Sequence, residues 1–442
     1  MKDFIFYFFL FIQFFSDAVA SIVYVPNFSS NNVSVIDTAI SSVIATVTVG
    51  NGPIHLDITH DGSSVYVLNF SSNTVSVIDT ATNSVIAIVT VGNTPTYGVI
   101  TSDDAKVYVA NQTSNSVSVI DTATNSVIET VTVGNGPLFT VYAFDSAFVY
   151  VVNASSDTVS VIDTTTDSVI ATVTVGDSPF FLAITPDGTY SYVSNFVSGS
   201  VSVIDTANNS VVATVTVGSL PVALIITPSG ENVYVANSAG LGTVSVIDTT
   251  TNSVVATVTV GSSPLSLVIT SDGATVYVAN QSASNSVSVI NTATNSVTAT
   301  IAVGMDPKYL AITSDDATIY VANQGSDNVS VIDTATLSVI ATVTVGDSPS
   351  FLAIQESPLA VTASVQNARG FGIRFTYYKL SWNPFPEAIS YAIFRNGLFL
   401  SQTQSTHYSD TDIDPSQVYT YEITAYDSTI QIGSGQVQIG PL

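Results

Sequence analysis

One short segment of the sequence carries three side chains suited to acid–base or metal chemistry: His55, Asp57 and His60. Two imidazoles and a carboxylate could ligate a metal ion or form a general base with an orienting acid. On a strand, residues 55 and 57 share a side, whereas residue 60 lies beyond them in the Asp61-Gly62 turn. We therefore expect the three side chains not to converge on one metal ion.

A second set of side chains recurs two residues after a proline. Its members are His55, Tyr97, Phe139, Phe181, Tyr309 and Phe351, with Ala223 and Ser266 at the two remaining positions. Such rings stack on a sugar or pack on the apolar side chains of a ligand. The alternative is that they fill space inside the protein. Lys308, beside Tyr309, is the only cation available in this set to meet an anion.

A third set consists of acidic or amide residues that end the recurrent VSVID segments. They are Asp37, Asp79, Asp121, Asp163, Asp205, Asp248, Asn291 and Asp333. A ring of carboxylates could bind calcium in a structural component of the cell envelope. Asp and Asn also cap the turn that follows them by accepting hydrogen bonds from its backbone. Because every repeat has this residue, we expect capping, and we assign the chain no metal ion and no other cofactor.

All three sets keep their spacing because the chain is a tandem repeat with a period of 42 or 43 residues. Each repeat contains four short segments rich in Val, Ile, Thr and Tyr, bounded by Gly, Pro, Asn, Asp or Ser. This composition is typical of β-strands and tight turns. Four antiparallel strands in about 42 residues match one blade of a β-propeller.

The two ends of the array predict how the ring closes. The first repeat begins at Ile22 in its second strand, and the last ends in an inner strand over residues 351–354. Three N-terminal strands and one C-terminal strand would complete one mixed blade and remove two exposed edges. We predict an all-β fold with an eight-bladed propeller of four-stranded antiparallel blades over residues 21–355.

The strings VYVAN, VSVIDTATNSV and TVTVGxxPxxLAITPDG resemble the YVTN family of β-propeller repeats over residues 22 to about 355. Eight repeats depart from the seven-bladed form usual in that family. In a propeller, the residues after each proline lie at the mouth of the central channel, on the face where the YVxN–VSVID loops open. Both one-residue insertions fall in these loops, at residues 238–243 and 281–286. We predict a ligand-binding rim on this variable face: His55, Tyr97, Phe139, Phe181, Lys308, Tyr309 and Phe351.

Residues 356–442 lack the period and contain four of the six bases that follow residue 20. Short alternating strands are predicted around 377–382, 391–395, 419–426 and 436–439, with a hairpin turn at Asn396-Gly397. The strings LSWNP, YAIFRNG and YTYEITAYD resemble a fibronectin type III domain, an immunoglobulin-like β-sandwich. The resemblance implies that Trp382 is the core tryptophan and Tyr419 the corner tyrosine. Asp410, Asp412 and Asp414 lack the Gly and Glu of an EF-hand, so we expect a solvated loop.

Residues 1–20 have the pattern of a cleaved signal peptide, with Lys2, an apolar run and Ala18-Val19-Ala20. We expect the protein to be periplasmic, secreted or at the cell surface, with no insertion into a membrane after cleavage. The formal net charge of −26 makes nucleic acid and anionic lipid poor partners. The absence of cysteine excludes disulfides and a thiol nucleophile.

These features favour a non-enzymatic binding or adhesion module that presents its variable face to a protein, peptide or glycan. Two alternatives stay open. One is a lactonase-like or other hydrolase in the propeller channel, although the repeats contain no Arg and only two Glu. The other is the calcium-dependent structural envelope component.

Overall fold

The computed structural model describes residues 21–143 and 147–355, and the backbone of seven strands between residues 361 and 439. The predicted signal peptide, residues 1–20, lies outside the described residues. The chain divides into two compact units, one over residues 21–356 and one that contains residues 357–442.

The first unit consists of β-strands with one short 3-10 helix, Ser282–Ser284, among its described residues. Its first sixteen strands are β1 (Ile22–Asn27), β2 (Asn32–Asp37), β3 (Ser42–Thr48), β4 (Pro53–Ile58), β5 (Ser64–Asn69), β6 (Thr74–Asp79), β7 (Ser84–Thr90), β8 (Pro95–Ile100), β9 (Lys106–Asn111), β10 (Ser116–Asp121), β11 (Ser126–Thr132), β12 (Pro137–Ala143), β13 (Phe148–Asn153), β14 (Thr158–Asp163), β15 (Ser168–Thr174) and β16 (Pro179–Ile184). Its second sixteen are β17 (Tyr190–Asn195), β18 (Ser200–Asp205), β19 (Ser210–Thr216), β20 (Pro221–Ile226), β21 (Asn232–Asn237), β22 (Thr243–Asp248), β23 (Ser253–Thr259), β24 (Pro264–Ile269), β25 (Thr275–Asn280), β26 (Ser286–Asn291), β27 (Ser296–Ala302), β28 (Pro307–Ile312), β29 (Thr318–Asn323), β30 (Asn328–Asp333), β31 (Ser338–Thr344) and β32 (Ala353–Gln355).

These strands form eight four-stranded antiparallel sheets over residues 21–143 and 147–355, which are the blades of a propeller. Blades 2 to 8 each use four consecutive strands, from β4–β7 to β28–β31, in the order inner, second, third and outer. Blade 1 combines β1, β2 and β3 with β32 as its inner strand. The predicted blade count and the closure by three N-terminal strands and one C-terminal strand are confirmed.

The closing strand is shorter than predicted and pairs closely with β1. Ile22 faces Gln355 and Tyr24 faces Ala353, and an isolated bridge joins Asn27 to Pro349. Leu352, 1% exposed, packs into the core between blades 8 and 1. The ring is therefore held shut by both backbone pairing and apolar burial.

The core lies between neighbouring blades, because the middle strands of each blade are buried on both faces. One apolar cluster, for example, joins Tyr66, Leu68 and Val77 of blade 2 to Val107 and Val109 of blade 3. Face-to-face sheet packing of this kind explains the nearly continuous apolar sequence of these strands. Blade-to-blade burial is the main source of apolar stabilisation in the ring.

The acidic positions that end the third strands cap their own turns. Asp79 Oδ1, for example, accepts hydrogen bonds from the Thr82 backbone amide at 2.8 Å and the Thr82 hydroxyl at 2.6 Å. A backbone amide of the turn donates in the same way to the side chain at each of the other seven positions. The capping role predicted for these residues is confirmed.

The same turns also connect neighbouring blades. The Tyr66 hydroxyl in blade 2 donates to Asn125 Oδ1 in the turn of blade 3 at 2.9 Å. Tyr192 and Tyr234 make equivalent bonds to Asn252 and Asn295 in the next blade, at 2.9 and 2.8 Å. This tie between blades explains why the TATNS turn varies so little along the chain.

The outer strand of every blade contains a β-bulge. In blade 1, Val35 pairs with Ala45 and Ile36 with Val43, so Ile44 has no partner and points to solvent with 48% of its surface exposed. Equivalent unpaired positions are Ile86, Ile128, Ile170, Val212, Val255, Thr298 and Ile340. A bulge twists an edge strand and interrupts the pairing that a second chain could continue.

The second unit contains two antiparallel sheets formed by β33 (Val361–Gly370), β34 (Ile373–Trp382), β35 (Ser390–Arg395), β36 (Leu398–Thr403), β37 (His407–Asp410), β38 (Tyr419–Asp427) and β39 (Ile430–Ile439). The strand orders are β33-β34-β37 and β36-β35-β38-β39. The predicted strands correspond to β34, β35, β38 and β39, whereas β33, β36 and β37 were not predicted.

Several predictions about this unit fall outside the described part of the chain. They concern the side chains of Trp382 and Tyr419, the turn at Asn396-Gly397, and the loop with Asp412 and Asp414. No helix in the described residues is long and apolar enough to cross a membrane.

Candidate functional site at the central channel and the proline face

The inner strands line a central channel with alternate side chains. The second residue after each proline forms a layer that we call the rim: His55, Tyr97, Phe139, Phe181, Ala223, Ser266, Tyr309 and Phe351. The fourth residue forms the middle layer: Asp57, Val99, Val141, Ala183, Ile225, Val268, Ala311 and Ala353. The period of two along a strand places both layers on the same side.

The six rings of the rim contact one another in blade order. Adjacent ring centroids are 4.0 Å apart for Tyr309–Phe351, 4.3 Å for Phe351–His55, 3.7 Å for His55–Tyr97, and 4.1 Å for Tyr97–Phe139 and Phe139–Phe181. Tilted contacts at these distances are favourable for aromatic rings. The rings form a continuous arc across six of the eight blades.

His55 is the polar member of this arc and is only 3% exposed. Burial lowers the pKa of its imidazole to about 3, so the ring is neutral at physiological pH. Its Nδ1 has no hydrogen-bond partner among the described residues. A neutral ring explains how a histidine can replace phenylalanine in this layer.

Two tyrosines of the arc meet across the channel. The phenol groups of Tyr97 and Tyr309 influence each other's pKa, although the residues lie three blades apart in the ring. Burial raises the pKa of both phenols, to about 12 for Tyr309. Both groups therefore stay protonated and can donate hydrogen bonds.

A cavity of about 420 Å³ lies against the arc within the channel. The inner strands of blades 1, 2, 3, 4, 7 and 8 supply its walls, which are mostly apolar or aromatic. Its polar side chains are His55, Asp57, Tyr97, Thr140, Tyr142 and Tyr309. An apolar pocket with a few polar groups is the usual form of a small-molecule site.

Asp57 is the one carboxylate on this cavity wall. Its Oδ1 accepts a hydrogen bond from the Ile58 amide at 3.0 Å, and its Oδ2 accepts one from the Ile100 amide at 3.1 Å. Burial raises the pKa of Asp57 to about 6 because the loss of hydration outweighs these two hydrogen bonds. The carboxylate is mainly ionised at pH 7 and above.

The third member of the sequence cluster, His60, lies beyond the end of β4 in the turn between the inner and second strands. Its Nδ1 is 2.7 Å from Asp104 Oδ1 in the equivalent turn of blade 3, and this hydrogen bond raises the pKa of His60. His55, Asp57 and His60 therefore occupy the rim, the cavity wall and the turn. No group of three or more His, Asp and Glu side chains in the described residues could hold a metal ion.

Lys308 precedes Tyr309 on β28 and is half-buried. Burial lowers the pKa of its ammonium group. Neither of the two ion pairs found in the described residues includes Lys308, since they join His60 to Asp104 and Lys106 to Asp167.

The face on which the inner strands begin, which we call the proline face, contains apolar residues that the sequence reasoning missed. Val197 in the β17–β18 loop is 62% exposed, Leu220 in the β19–β20 link is 37% exposed and Leu241 in the β21–β22 loop is 83% exposed. The Ser238 amide donates to the Leu220 carbonyl at 2.9 Å, which joins that link to the loop carrying Leu241. We call Val197, Leu220 and Leu241 the apolar patch of blades 5 and 6.

Beneath the patch, Phe180 and Phe196 lie 6.0 Å apart between ring centroids and pack on the core shared by blades 6 and 7. A comparison of loops between repeats would have found Val197 and Leu220, because the other blades have small or polar side chains at both positions. Divergence between blades is therefore concentrated on the proline face in the loops as well as in the rim.

A family model described as YNCE-like beta-propeller matches residues 135–285 and 266–363, which together are more than half of the chain. A curated alpha-amylase from Niallia circulans is 36% identical over 75 residues, which are 16% of this chain and 5% of that protein. The chain therefore spans only a small part of this curated relative.

Solved structures share the fold at low sequence identity. Hydrazine synthase of Kuenenia stuttgartiensis has a TM-score of 0.54 at 24% identity, over 64% of this chain and 96% of that chain. The dihydro-heme d1 dehydrogenase NirN, in complex with DHE, has a TM-score of 0.66 at 15% sequence identity, over 77% of this chain and 76% of that chain. AztD of Citrobacter koseri has a TM-score of 0.57 at 15% sequence identity, over 76% of this chain and 98% of that chain. From the match of the family model over its repeats, this chain belongs to the YNCE-like beta-propeller family.

Proposed function

We propose that this protein is an exported, non-enzymatic binding module that recognises a protein, peptide or glycan through the proline face of its propeller. The observation that carries the proposal is the exposed apolar patch Val197, Leu220 and Leu241. Exposed apolar groups gathered on one face of a folded protein are typical of an interaction surface. A propeller of similar shape, NirN, is solved with bound DHE, which supports ligand binding by a ring of this kind.

Backbone geometry supports the patch as a functional surface. Leu220 has φ of 54°, in the left-handed region that this position adopts in all eight links. The other links have Gly52, Thr94, Gly136, Ser178, Ser263, Asp306 and Ser348 there. A non-glycine residue in this region costs free energy, and Leu220 recovers little of it by burial because it is 37% exposed. Leu220 is the one large apolar side chain at this position among the eight links, and we attribute it to contact with a ligand.

The rim residues would support this surface rather than form an open pocket. Phe181 and Tyr309 are the rings at the two ends of the arc and are partly exposed, and we place them at the inner edge of the contact. His55, Tyr97, Phe139 and Phe351 would hold them in position. Lys308 would meet an acidic group of the ligand.

The remaining parts of the proposal concern the whole chain. The repeats are proposed to be of the YVTN type. The second unit is proposed to be a fibronectin type III-like sandwich that acts as a spacer or a second contact, since β36-β35-β38-β39 and β33-β34-β37 are the two sheets such a domain needs. Residues 1–20 are proposed to direct export.

The two alternative functions receive less support from the geometry. The hydrolase alternative relied on His55, Asp57 and His60. His55 and Asp57 line one cavity, whereas His60 lies outside it in a turn bonded to Asp104. The calcium alternative was motivated by the excess of acidic residues, and the seven Asp and one Asn that end the third strands cap their own turns.

The test uses the triple variant Val197→Ser, Leu220→Ser, Leu241→Ser. The matched control is Ile86→Ser, Ile88→Ser, Ile128→Ser, which removes three exposed apolar side chains from outer strands. A phage-displayed peptide library and a glycan array are screened with the wild-type chain, and the selected ligands are measured against both variants. We expect at least a tenfold loss of affinity in the patch variant and no change in the control.

Two results would contradict the proposed function. One is a screen in which the wild-type chain selects no peptide or glycan above background. The other is a set of ligands that bind both triple variants as tightly as the wild-type chain.

A further inference from the structure

The middle layer of the channel carries one charged side chain, Asp57. The other seven inner strands have Val, Ile or Ala at this position, and the repeats are otherwise closely similar. A carboxylate taken out of water among apolar side chains loses hydration free energy unless a partner restores it. Both ion pairs of the described residues use other carboxylates, those of Asp104 and Asp167.

Asp57 is oriented by backbone amides and is in neither ion pair of the described residues, while nearby His60 favours its ionised form and Asp104 opposes it. The amides of Ile58 and Ile100 each donate to one of its oxygens, at 3.0 and 3.1 Å. Each carboxylate oxygen can accept a further hydrogen bond. Since Asp57 lines the cavity, this remaining capacity is available to a molecule inside it.

The other walls of the cavity suit a cation that carries apolar groups. Phe139, Phe351 and the two tyrosines of the arc present aromatic rings, whose faces attract organic cations. Two buried polar atoms on the wall, His55 Nδ1 and Thr140 Oγ1, have no partner among the described residues. Thr140 is 1% exposed and stands where most inner strands have leucine, so its hydroxyl is a costly replacement unless it finds a partner.

We propose that this cavity binds a small organic cation, an amine or quaternary ammonium on a compact apolar body, with Asp57 as its counter-ion. The cavity volume of about 420 Å³ lies within the ~300–1,000 Å³ typical of small-molecule sites. A calcium ion needs six or more oxygen ligands, which a single carboxylate does not supply. The cavity shares rim side chains with the inner edge of the proline face, but Asp57 lies in the middle layer and is not part of the apolar patch. A change at Asp57 therefore tests this proposal without altering Val197, Leu220 or Leu241.

The experiment measures binding of two pairs of probes to the full chain by isothermal titration calorimetry at pH 8. Each pair contains a cation and a neutral analogue of similar shape: choline with 3,3-dimethylbutan-1-ol, and benzylamine with benzyl alcohol. We expect at least one cation to bind with a Kd of about 1 mM or tighter, and its neutral analogue to bind at least tenfold more weakly.

Two variants locate the site. Asp57→Asn keeps the shape of the side chain and removes its charge, and it should weaken cation binding at least tenfold. Asp347→Asn makes the same change of charge at an exposed position outside the cavity, and should leave binding unchanged. Ala311→Leu fills part of the cavity without changing a charge, and should also weaken binding at least tenfold. If Asp57→Asn does not fold, as judged by circular dichroism, Ala311→Leu decides the location.

The proposal is overturned if neither cation binds at concentrations up to about 10 mM, or if each cation and its neutral analogue bind equally. It is also overturned if the cation binds the cavity variants as tightly as the wild-type chain.

Discussion

His55 shows how burial sets the chemistry of a single residue in this protein. The sequence alone suggests a catalytic or metal-binding histidine. In the structure its ring packs against two aromatic rings, with centroid distances of 3.7 Å to Tyr97 and 4.3 Å to Phe351. Its folded pKa of about 3 lies far below the value of about 6.5 expected in the unfolded chain. The stability that the neutral ring contributes is therefore complete above pH 6.5 and is lost as the pH falls towards 3.

The variant His55→Phe tests this description, because three other blades already have phenylalanine in the rim. We expect little change in stability at pH 7 and a gain of about 3 kcal/mol over the wild-type chain at pH 4, from a difference of 2.5 pH units between pH 4 and the unfolded pKa. Differential scanning calorimetry at the two pH values measures it. Tyr97→Phe is the control, since it removes no group that ionises in this range, and an equal gain in both variants would contradict the assignment.

At the residue scale, repetition in the sequence predicted scaffold roles better than site roles. The capping by Asp79 and its equivalents followed from their presence in all repeats. The separation of His60 from His55 and Asp57 followed from strand periodicity. The mutual contact of the rim rings could not be predicted, because it depends on how far each ring reaches across the channel. Asp57 was noticed only as a member of a short motif, since its isolation among Val, Ile and Ala becomes visible when the inner strands are aligned as a layer.

At the scale of the element, the link between blades 5 and 6 places Leu220 at a positive φ, which costs free energy of folding, and leaves its side chain 37% exposed. Leu220→Gly should remove the cost of φ at 54° and stabilise the protein by about 1 kcal/mol, as measured by thermal melting. It should also weaken any ligand selected by the proline face. Ser178→Gly makes the same backbone change in the link before blade 5, where φ is 51°, and should stabilise the protein without a loss of binding.

The outcome that would contradict this prediction is a Leu220→Gly variant that melts at a lower temperature than the wild-type chain. Such a result would mean that the leucine side chain stabilises the fold through its contacts. Unchanged ligand affinity in this variant would separate Leu220 from the binding surface.

Strand positions were predictable because each strand has its own turn residues at both ends. The bulges were not predictable, because the apolar and polar residues of the sequence SVIATVT alternate just as they would in a strand without a bulge. Only the register shows that Ile44 is skipped by the pairing of Ile36 with Val43. In the second unit, β33, β36 and β37 were missed because no repeat was available to reveal their boundaries.

At the scale of the whole molecule, the ring depends on a short strand at the end of the repeat array. A chain that ends at residue 348 lacks Phe351, Leu352 and β32, and leaves the inner edge of β1 unpaired. Burial of the two large side chains alone is worth about 5 kcal/mol. We expect this chain to melt at a much lower temperature than one that ends at residue 355, with the loss followed by circular dichroism.

The comparison with the chain ending at residue 355 is the control, because both lack the second unit and differ only in the closing segment. Equal melting temperatures would mean that blade 1 is stable with three strands. The closure itself was predictable from the phase of the repeat at its two ends, and the number of blades from a count of repeats. The arrangement of the rim and the cavity was not predictable, because it does not follow from the number of repeats or from their phase.

The bulged outer strands have a consequence for how such a chain could have grown. Their sequences contain one charged residue, Glu129, so electrostatic repulsion does little to keep neighbouring molecules from adding strand to strand. The β-bulge at Ile44 and at its equivalents interrupts the pairing that a neighbouring molecule could continue, and the sequence of each repeat encodes it. Each gene duplication that adds a blade therefore also adds the feature that prevents fibril growth from its outer edge, so the array could lengthen without becoming prone to polymerise.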